Sequence, residues 1–364
     1  KSNRRGFFQN ILYGALNMTN EIPVYPFSAI VGQENMKDAL LANIVYQSIG
    51  GVLIRGEKGT AKSTTVRAAA DLLPDREVMK GCIFRCSASD LRNLCNNCRE
   101  KIASGEKPLS EYIRMKVVEL PLCATEDRVA GTLDIEQAIT KGMKKFEPGV
   151  LAMANGNILY VDEVNLLDDH IVDLLLDAAA MGVNFVEREG ISYSHPSKFL
   201  LVGTMNPEEG DLRPQLLDRF GLVVDVEGEK DSLQRAEVVR RRLDFERDPF
   251  SFRERYEPQQ QTIRDKIMRA KEIIGELRPD DLLIDTAVKI ALFMGVDGHR
   301  SDLTLVKTAL AFAALNGQTQ VKHNHVLKAA SLSLPHRMRR KPFEESKADL
   351  GGIKKLIVEC YEDS

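Results

Sequence analysis

The run Gly56-Glu57-Lys58-Gly59-Thr60-Ala61-Lys62-Ser63-Thr64 constrains this chain more than any other stretch. It follows the apolar segment Gly51-Val52-Leu53-Ile54-Arg55 and opens into Thr65-Val66-Arg67-Ala68-Ala69-Ala70, a helix former. Strand, glycine-bearing loop and helix in that order are the context of a nucleotide phosphate loop. Glycines let backbone N–H groups turn inward around phosphates, Lys62 reaches the β/γ oxygens, and Ser63 can ligate Mg²⁺. Ala61 stands where the pattern G-x-x-x-x-G-K-[ST] has its second glycine. A left-handed backbone there would cost alanine roughly 1–2 kcal/mol, whereas helical dihedrals would make the exchange harmless.

From about residue 30 to 230, short aliphatic runs alternate with longer helical patterns, the signature of an α/β fold with a parallel sheet. The runs are 51–55, 116–120, 158–161, 199–202 and 222–226. The third belongs to Asn157-Ile158-Leu159-Tyr160-Val161-Asp162-Glu163, an apolar strand ending in two carboxylates. Ligands of open parallel sheets sit at the carboxyl ends of strands, so Asp162 is placed to hold Mg²⁺ and Glu163 to orient and deprotonate water. Read alone, such a pair can also be a solvated helix cap, the lesser of the two readings. The fourth run ends in Gly203-Thr204-Met205-Asn206, and the Asn206 amide can reach a γ-phosphate or the lytic water. Leu212-Arg213-Pro214-Gln215-Leu216-Leu217-Asp218-Arg219-Phe220 presents Arg219, which either lacks a partner in its own site or makes a surface pair with Asp218 or Glu227.

These runs divide the chain into an N-terminal arm (1–21), an α/β nucleotide-binding domain (22–229), a charged helix-plus-linker ending near Pro258 (230–260), a helical domain (261–345) and a tail (346–364). Within the α/β domain, 78–112 reads as a polar, cysteine-rich insertion without core of its own. Lys+Arg is 50 and Asp+Glu is 53, so the net charge of -3 provides no global positive field and disfavours a nucleic-acid partner. No apolar run approaches the ~18–20 residues that span a bilayer, so a cytoplasmic protein with no membrane partner is expected. His323 and His325, two apart on a helix, read as surface residues. Arg240-Arg241-Arg242 and Arg337-Met338-Arg339-Arg340-Lys341 read as solvated helix ends or contacts for an acidic partner.

Four of the six cysteines fall in the insertion as two close pairs, Cys82-Ile83-Phe84-Arg85-Cys86 and Cys95-Asn96-Asn97-Cys98. Structural Zn²⁺ sites favour four thiolates in such pairs, because each short loop places two sulfurs on adjacent corners of a tetrahedron. The loop between the pairs is shorter than in many zinc ribbons, which leaves an iron–sulfur cluster, redox-active thiols or unliganded thiols as alternatives.

The phosphate loop, Asp162-Glu163, Asn206 and Arg219, in this order, resemble the AAA+ ATPases. Ala124-Thr125-Glu126-Asp127-Arg128-Val129-Ala130-Gly131-Thr132-Leu133-Asp134, Phe146-Glu147-Pro148-Gly149, Val161-Asp162-Glu163-Val164-Asn165-Leu166-Leu167, Val186-Glu187-Arg188-Glu189-Gly190 and Asn206-Pro207-Glu208-Glu209-Gly210 resemble, more narrowly, the ATPase (I) subunits of magnesium chelatase. The resemblance covers about 22–340. It implies an AAA+ core with inserted hairpins around 121–145 and 184–196, and a C-terminal helical lid. It also implies that Val31-Gly32-Gln33 lies against adenine, that Gly56 to Thr64 cradles phosphate, and that Asn206 is a first sensor. Arg219 would be an arginine finger for a neighbouring subunit and Arg300 a second sensor from the lid. ATP and Mg²⁺ would be used within a hexameric ring, beside an integrin-like partner subunit and a large porphyrin-binding subunit, to insert Mg²⁺ into a porphyrin. A cobalt-chelatase-type ATPase and a chaperone-like remodeller of a partner protein are the alternatives.

Overall fold

A computed structural model of the chain describes residues 23–134, 145–188, 191–296, 298–338 and 350–362. The expected arm, the 339–341 part of the second basic cluster and the tips of both expected hairpins lie outside the described residues. The described strands are β1 (Val52–Gly56), β2 (Arg76–Met79), β3 (Ser110–Ile113), β4 (Val117–Leu120), β5 (Gly131–Asp134), β6 (Lys145–Pro148), β7 (Ile158–Val161), β8 (Val183–Arg188), β9 (Ile191–Pro196), β10 (Leu200–Met205) and β11 (Leu222–Val226).

Five of them form one parallel sheet in the order β11-β1-β10-β7-β4, and they correspond to the five aliphatic runs. Every residue of β7 and β10 is buried, as strands covered on both faces require. Successive side chains of one strand point to opposite faces. Ile54, Tyr160, Val202 and Val224 accordingly join the core on one side of the sheet, while Leu53, Leu159, Leu201 and Val223 join the core on the other. The first of these cores runs on without a break into the helical domain, through Ile267, Leu283, Leu305, Ala309 and Val326. Register places the chemistry: β10 lies between β1 and β7, so the ends of all three strands open on one edge of the sheet. The β5–β6 and β8–β9 pairs are antiparallel hairpins standing off the sheet, as expected.

Three expectations about organisation are corrected. The 230–260 segment holds no linker: helices Ser232–Arg247 and Pro249–Glu276 follow each other directly, and Pro258 lies inside the second. Asp231 accepts a hydrogen bond from the Gln234 N–H at 2.8 Å, and Asp248 accepts one from the Ser251 N–H at 3.1 Å with Pro249 at the first helical position. These are N-cap signatures. Many of the charges pair along the helix, Arg241 with Glu237 and Arg242 with Glu246, rather than marking a solvated connection. The tail is likewise structured, since helix Leu350–Glu362 buries Ile353 and Ile357 in the core shared with the lid. Finally, the 78–112 insertion is not merely polar: Met79, Phe84, Cys86, Leu94, Cys95 and Cys98 are buried in a small core shared with Ala130, Phe146, Ala152 and Val186 outside it.

Two single residues also differ from expectation. His325 is buried, its Nδ1 accepting from the Lys322 N–H at 3.0 Å and its Nε2 lying 3.0 Å from the Asn316 amide. Arg337 is buried too, in a contact described below.

Candidate nucleotide-binding site

Helix Lys62–Asp71 begins directly at the loop lysine. Lys62 Nζ donates to the carbonyl oxygens of Gly56 at 2.5 Å and Glu57 at 2.8 Å, and Thr60 Oγ1 donates to the Glu57 carbonyl at 2.9 Å. The loop is therefore closed around its own cation. Burial holds the Lys62 pKa below the usual lysine range, against the opposing pull of Asp162, Glu163 and Glu209. Gly56 is required by close approach, because a Cβ there would sit 2.1 Å from the Val226 carbonyl oxygen on β11. Ala61, the residue before the helix, is left-handed at φ 58°, ψ 21°. Ala61→Gly should therefore raise stability by roughly 1 kcal/mol, since glycine enters this region without the Cβ clash. The urea midpoint of unfolding is expected to move up; a lower midpoint would mean that the alanine is not strained.

At the end of β7, Asp162 Oδ1 accepts from Thr204 Oγ1 at 2.5 Å and from the Tyr160 hydroxyl at 2.9 Å. Burial pushes the Tyr160 phenol up, so it stays a proton donor to this carboxylate. Thr204 Oγ1 also accepts from the Glu163 N–H at 3.1 Å, so one hydroxyl on β10 fixes both acidic positions. Glu163 is left-handed, φ 51°, which turns the chain sharply after the strand. Its carboxylate pairs with Lys58 at 3.2 Å, and Lys58 also reaches Glu209 at 2.7 Å. The hydrogen bond to Glu209, then that to Glu163, raises the Lys58 pKa. Asn206 follows β10, where its Oδ1 accepts from the Glu208 N–H at 3.3 Å.

These groups share one open cleft of about 1490 Å³, above the ~300–1,000 Å³ usual for a small-molecule pocket. Lys58 to Thr64, Asp162, Glu163 and Asn206 line it, together with Val31 and Gln33. Gly32, between those two, is left-handed at φ 65°, and Gln33 Nε2 donates to the Glu227 carbonyl at 2.9 Å. Ser63 and Asp162 both line the cleft and carry oxygen donors of the kind Mg²⁺ takes. Sequence reasoning missed Arg235, Val238, Val239 and Arg242 on the cleft wall, because they lie on the helix taken to lead into a linker. The N-cap signal at Asp231 was the available clue. Helices Ser232–Arg247 and Pro249–Glu276 are fastened to the 25–29 segment by packing of Tyr25, Phe245 and Phe252, and by a 2.9 Å hydrogen bond from the Ser28 N–H to Gln260 Oε1.

Arg219 and Arg300 are not among the residues lining the cleft. Arg219 pairs with Asp173 and Asp177, one turn apart on helix Asp169–Met181, rather than with Asp218 or Glu227. Arg300, from the lid, donates to Asp218 Oδ2 at 2.8 Å. Arg337, like His325, is buried where the sequence suggests a surface residue. Its guanidinium donates to Asp218 Oδ1 at 3.1 Å and to the backbone carbonyls of Asp218, Phe220 and Gly221 at 3.0, 2.7 and 3.2 Å. Burial pulls its pKa down to about 10. The lid thus grips both sides of Arg219. No local signal announces this, since Arg337 opens a basic cluster 119 residues beyond Asp218.

The four insertion cysteines converge, with all their Sγ atoms within 4.8 Å of one another. Cys123 is exposed and stands apart from this group.

Two family models match: an AAA domain of the dynein-related subfamily over residues 108–220, and an AAA lid domain over 284–351. The chain is 55% identical over 336 residues to a magnesium-chelatase subunit ChlI homolog of Methanocaldococcus jannaschii, covering 92% of this chain and 91% of that one. It is 49% identical to the magnesium-chelatase subunit ChlI of Trieres chinensis (93% and 96% covered) and 49% identical to the magnesium-chelatase 38 kDa subunit of Acidiphilium rubrum (89% and 94% covered). Among solved structures, a cryo-EM-based assembly of magnesium-chelatase subunits BchI and BchD contains a chain 49% identical, with TM-score 0.52, covering 88% of this chain and 98% of that one. A crystal structure from Cytophaga hutchinsonii, 17% identical with TM-score 0.59 and covering 97% and 94%, shares the fold.

Proposed function

Since the chain belongs to the ChlI/BchI family of magnesium-chelatase AAA ATPase subunits, we propose that it is the motor of a chelatase complex, hydrolysing ATP to drive insertion of Mg²⁺ into a porphyrin held by a larger partner. One observation carries the mechanism. The phosphate loop, both strand-end carboxylates and Asn206 converge on one cleft, while Arg219 and Arg300 lie off it. The cleft's own cations are Lys58, Lys62, Lys230, Arg235 and Arg242, which leaves Arg219 to serve the charge developing on a phosphoryl group held by another copy.

Val31 and Gln33 flank the base, and the loop N–H groups with Lys62 hold the phosphates. Ser63 and Asp162 would hold Mg²⁺, which would supply positive charge against the nucleotide phosphates. Thr204 and Tyr160 keep Asp162 oriented, Glu163 takes the proton of the attacking water, and Asn206 positions that water against the γ-phosphate. Arg219, with Arg300 close beside it on Asp218, serves the nucleotide of an adjacent copy. The assembly is a heterologous ring, hexameric in this reading, because each copy supplies an arginine to one neighbour and receives one from the other. An integrin-like partner of the BchD kind and a large porphyrin-binding subunit complete the complex, with hairpins β5–β6 and β8–β9 as their contacts.

The test is reconstitution with those two partner subunits, protoporphyrin, Mg²⁺ and ATP, followed by the fluorescence of the metallated porphyrin. ATP-dependent insertion is expected, and none with Lys62→Ala protein. ATP turnover with no Mg²⁺ insertion while both partners are bound would overturn the assignment.

A further inference from the structure

We propose that Cys82, Cys86, Cys95 and Cys98 bind one structural Zn²⁺, and that this ion fastens the two hairpins to the nucleotide-binding domain. A Zn–S bond of ~2.3 Å places the four sulfurs of a tetrahedral site about 3.8 Å apart. Here the Cys82 and Cys95 sulfurs are 3.8 Å apart, and all four lie within 4.8 Å of one another. An iron–sulfur cubane bonds each thiolate to a different iron, which needs its sulfurs spread more widely than this.

The backbone presents the four groups from two sides. Cys82 and Cys86 close a tight turn in which the Cys82 N–H donates to the Met79 carbonyl at 3.2 Å and the Arg85 N–H to the Cys82 carbonyl at 3.0 Å. Arg85 is left-handed at φ 48°. Cys95 caps helix Asn96–Ala103, and Cys98, three residues on, lies on the same side of its first turn. The N–H groups at a helix start favour thiolates. The Cys95 N–H additionally donates to Cys86 Sγ at 3.2 Å, joining the two halves. Cys86, Cys95 and Cys98 are buried and Cys82 is half-buried, so the group is enclosed.

What the ion would hold follows from packing. Phe84, inside the first cysteine loop, is 2% exposed and stacks on His195 of β9 at 4.8 Å between ring centres. It also touches Phe146 of β6, which stacks on Tyr193 of β9 at 4.4 Å. The Asn155 amide donates to the Phe84 carbonyl at 2.8 Å, tying the loop to the domain. Met79, Phe84, Leu94, Ala130, Phe146, Ala152 and Val186 form with the cysteines one small core between insertion and hairpins. A core this small gains cohesion from a metal that joins its strands and helix.

The test is metal content of the full chain purified without added metal, and its spectrum after replacement with Co²⁺. About one zinc per chain is expected, with the intense visible bands of tetrahedral cobalt–thiolate on replacement. The Cys95→Ser/Cys98→Ser chain should lose zinc and Cys123→Ser should keep it. In chelator-stripped protein, amide exchange in β6, β8 and β9 should speed by about tenfold, while an ATP analogue still binds. Zinc in fewer than about a tenth of native chains, iron with acid-labile sulfide, or a cysteine-pair variant that retains zinc would overturn the site, and unchanged hairpin exchange would overturn its role. The native chain's metal content and cobalt spectrum decide the site even if the variant does not fold.

Discussion

Glu163→Gln protein should bind ATP with Mg²⁺ as the native chain does and hydrolyse it about 10²–10⁴-fold more slowly. Phosphoryl transfer depends mostly on positioning and charge stabilisation, so a residue that only positions and deprotonates water affects turnover without affecting nucleotide affinity. Glu163 fits that description. Its backbone N–H is held by Thr204 Oγ1 at 3.1 Å, its side chain lines the cleft, and its carboxylate meets only the exposed Lys58 in the described ion pairs. Glutamine preserves the shape and the left-handed backbone but accepts no proton. Lys62→Ala should behave differently and weaken nucleotide binding itself, because the Lys62 ammonium is part of the loop's own architecture. Nucleotide binding measured beside single-turnover hydrolysis separates the two. Unchanged single-turnover rates in Glu163→Gln would remove Glu163 from the chemistry.

Groups encoded in contiguous strings are legible in the amino-acid sequence itself. A phosphate loop needs its strand, glycines, lysine and helix in one stretch, and Asp162-Glu163 and Asn206 are simply the ends of apolar runs. Parallel strands then carry those ends to one edge of the sheet, so order along the chain suffices to predict the cleft. Residues whose role depends on distant partners are not legible in this way. Thr204 orients Asp162 from 42 positions away, and nothing in Val202-Gly203-Thr204 distinguishes it from an ordinary strand threonine. Arg337 reads as one member of a basic cluster, yet its carbonyl partners at 218–221 make burial of its charge possible. His325 is misplaced for a different reason, since its bond to the Lys322 N–H is a local cap at the start of its own helix and its contact with Asn316 crosses one short turn, whereas the spacing of the two histidines by itself points only to the surface. The 230–260 segment misleads differently: charge density suggests solvation, whereas i,i+4 pairs let a helix carry that charge while Tyr25 and Phe245 anchor it.

Arg219→Ala should leave each chain folded and able to bind ATP, and should reduce hydrolysis by ~10³–10⁵-fold in the assembled protein. As a simple ion pair with Asp173 and Asp177, Arg219 would matter little, since a partly exposed pair contributes ~0–1 kcal/mol to stability and nothing to rate. Its setting argues for more. Asp218 beside it is held by Arg300 and Arg337, and Phe220 by Arg337, so the lid fixes the backbone on both sides of one arginine that its own cleft does not use. Such rigidity suits a group that must meet a phosphate presented by another chain, where a small displacement is costly. Arg219→Lys should recover little, because the planar two-pronged guanidinium geometry is lost although the charge remains. The decisive measurement mixes two inactive proteins, Arg219→Ala and Lys62→Ala. In randomly mixed rings about a quarter of the interfaces join an intact loop to an intact arginine, so activity should reappear at that order of the native level. Mixed rings, verified by co-purification of differently tagged chains, that stay inactive would show that Arg219 does not act across the interface, as would native activity per chain that holds constant on dilution to monomers.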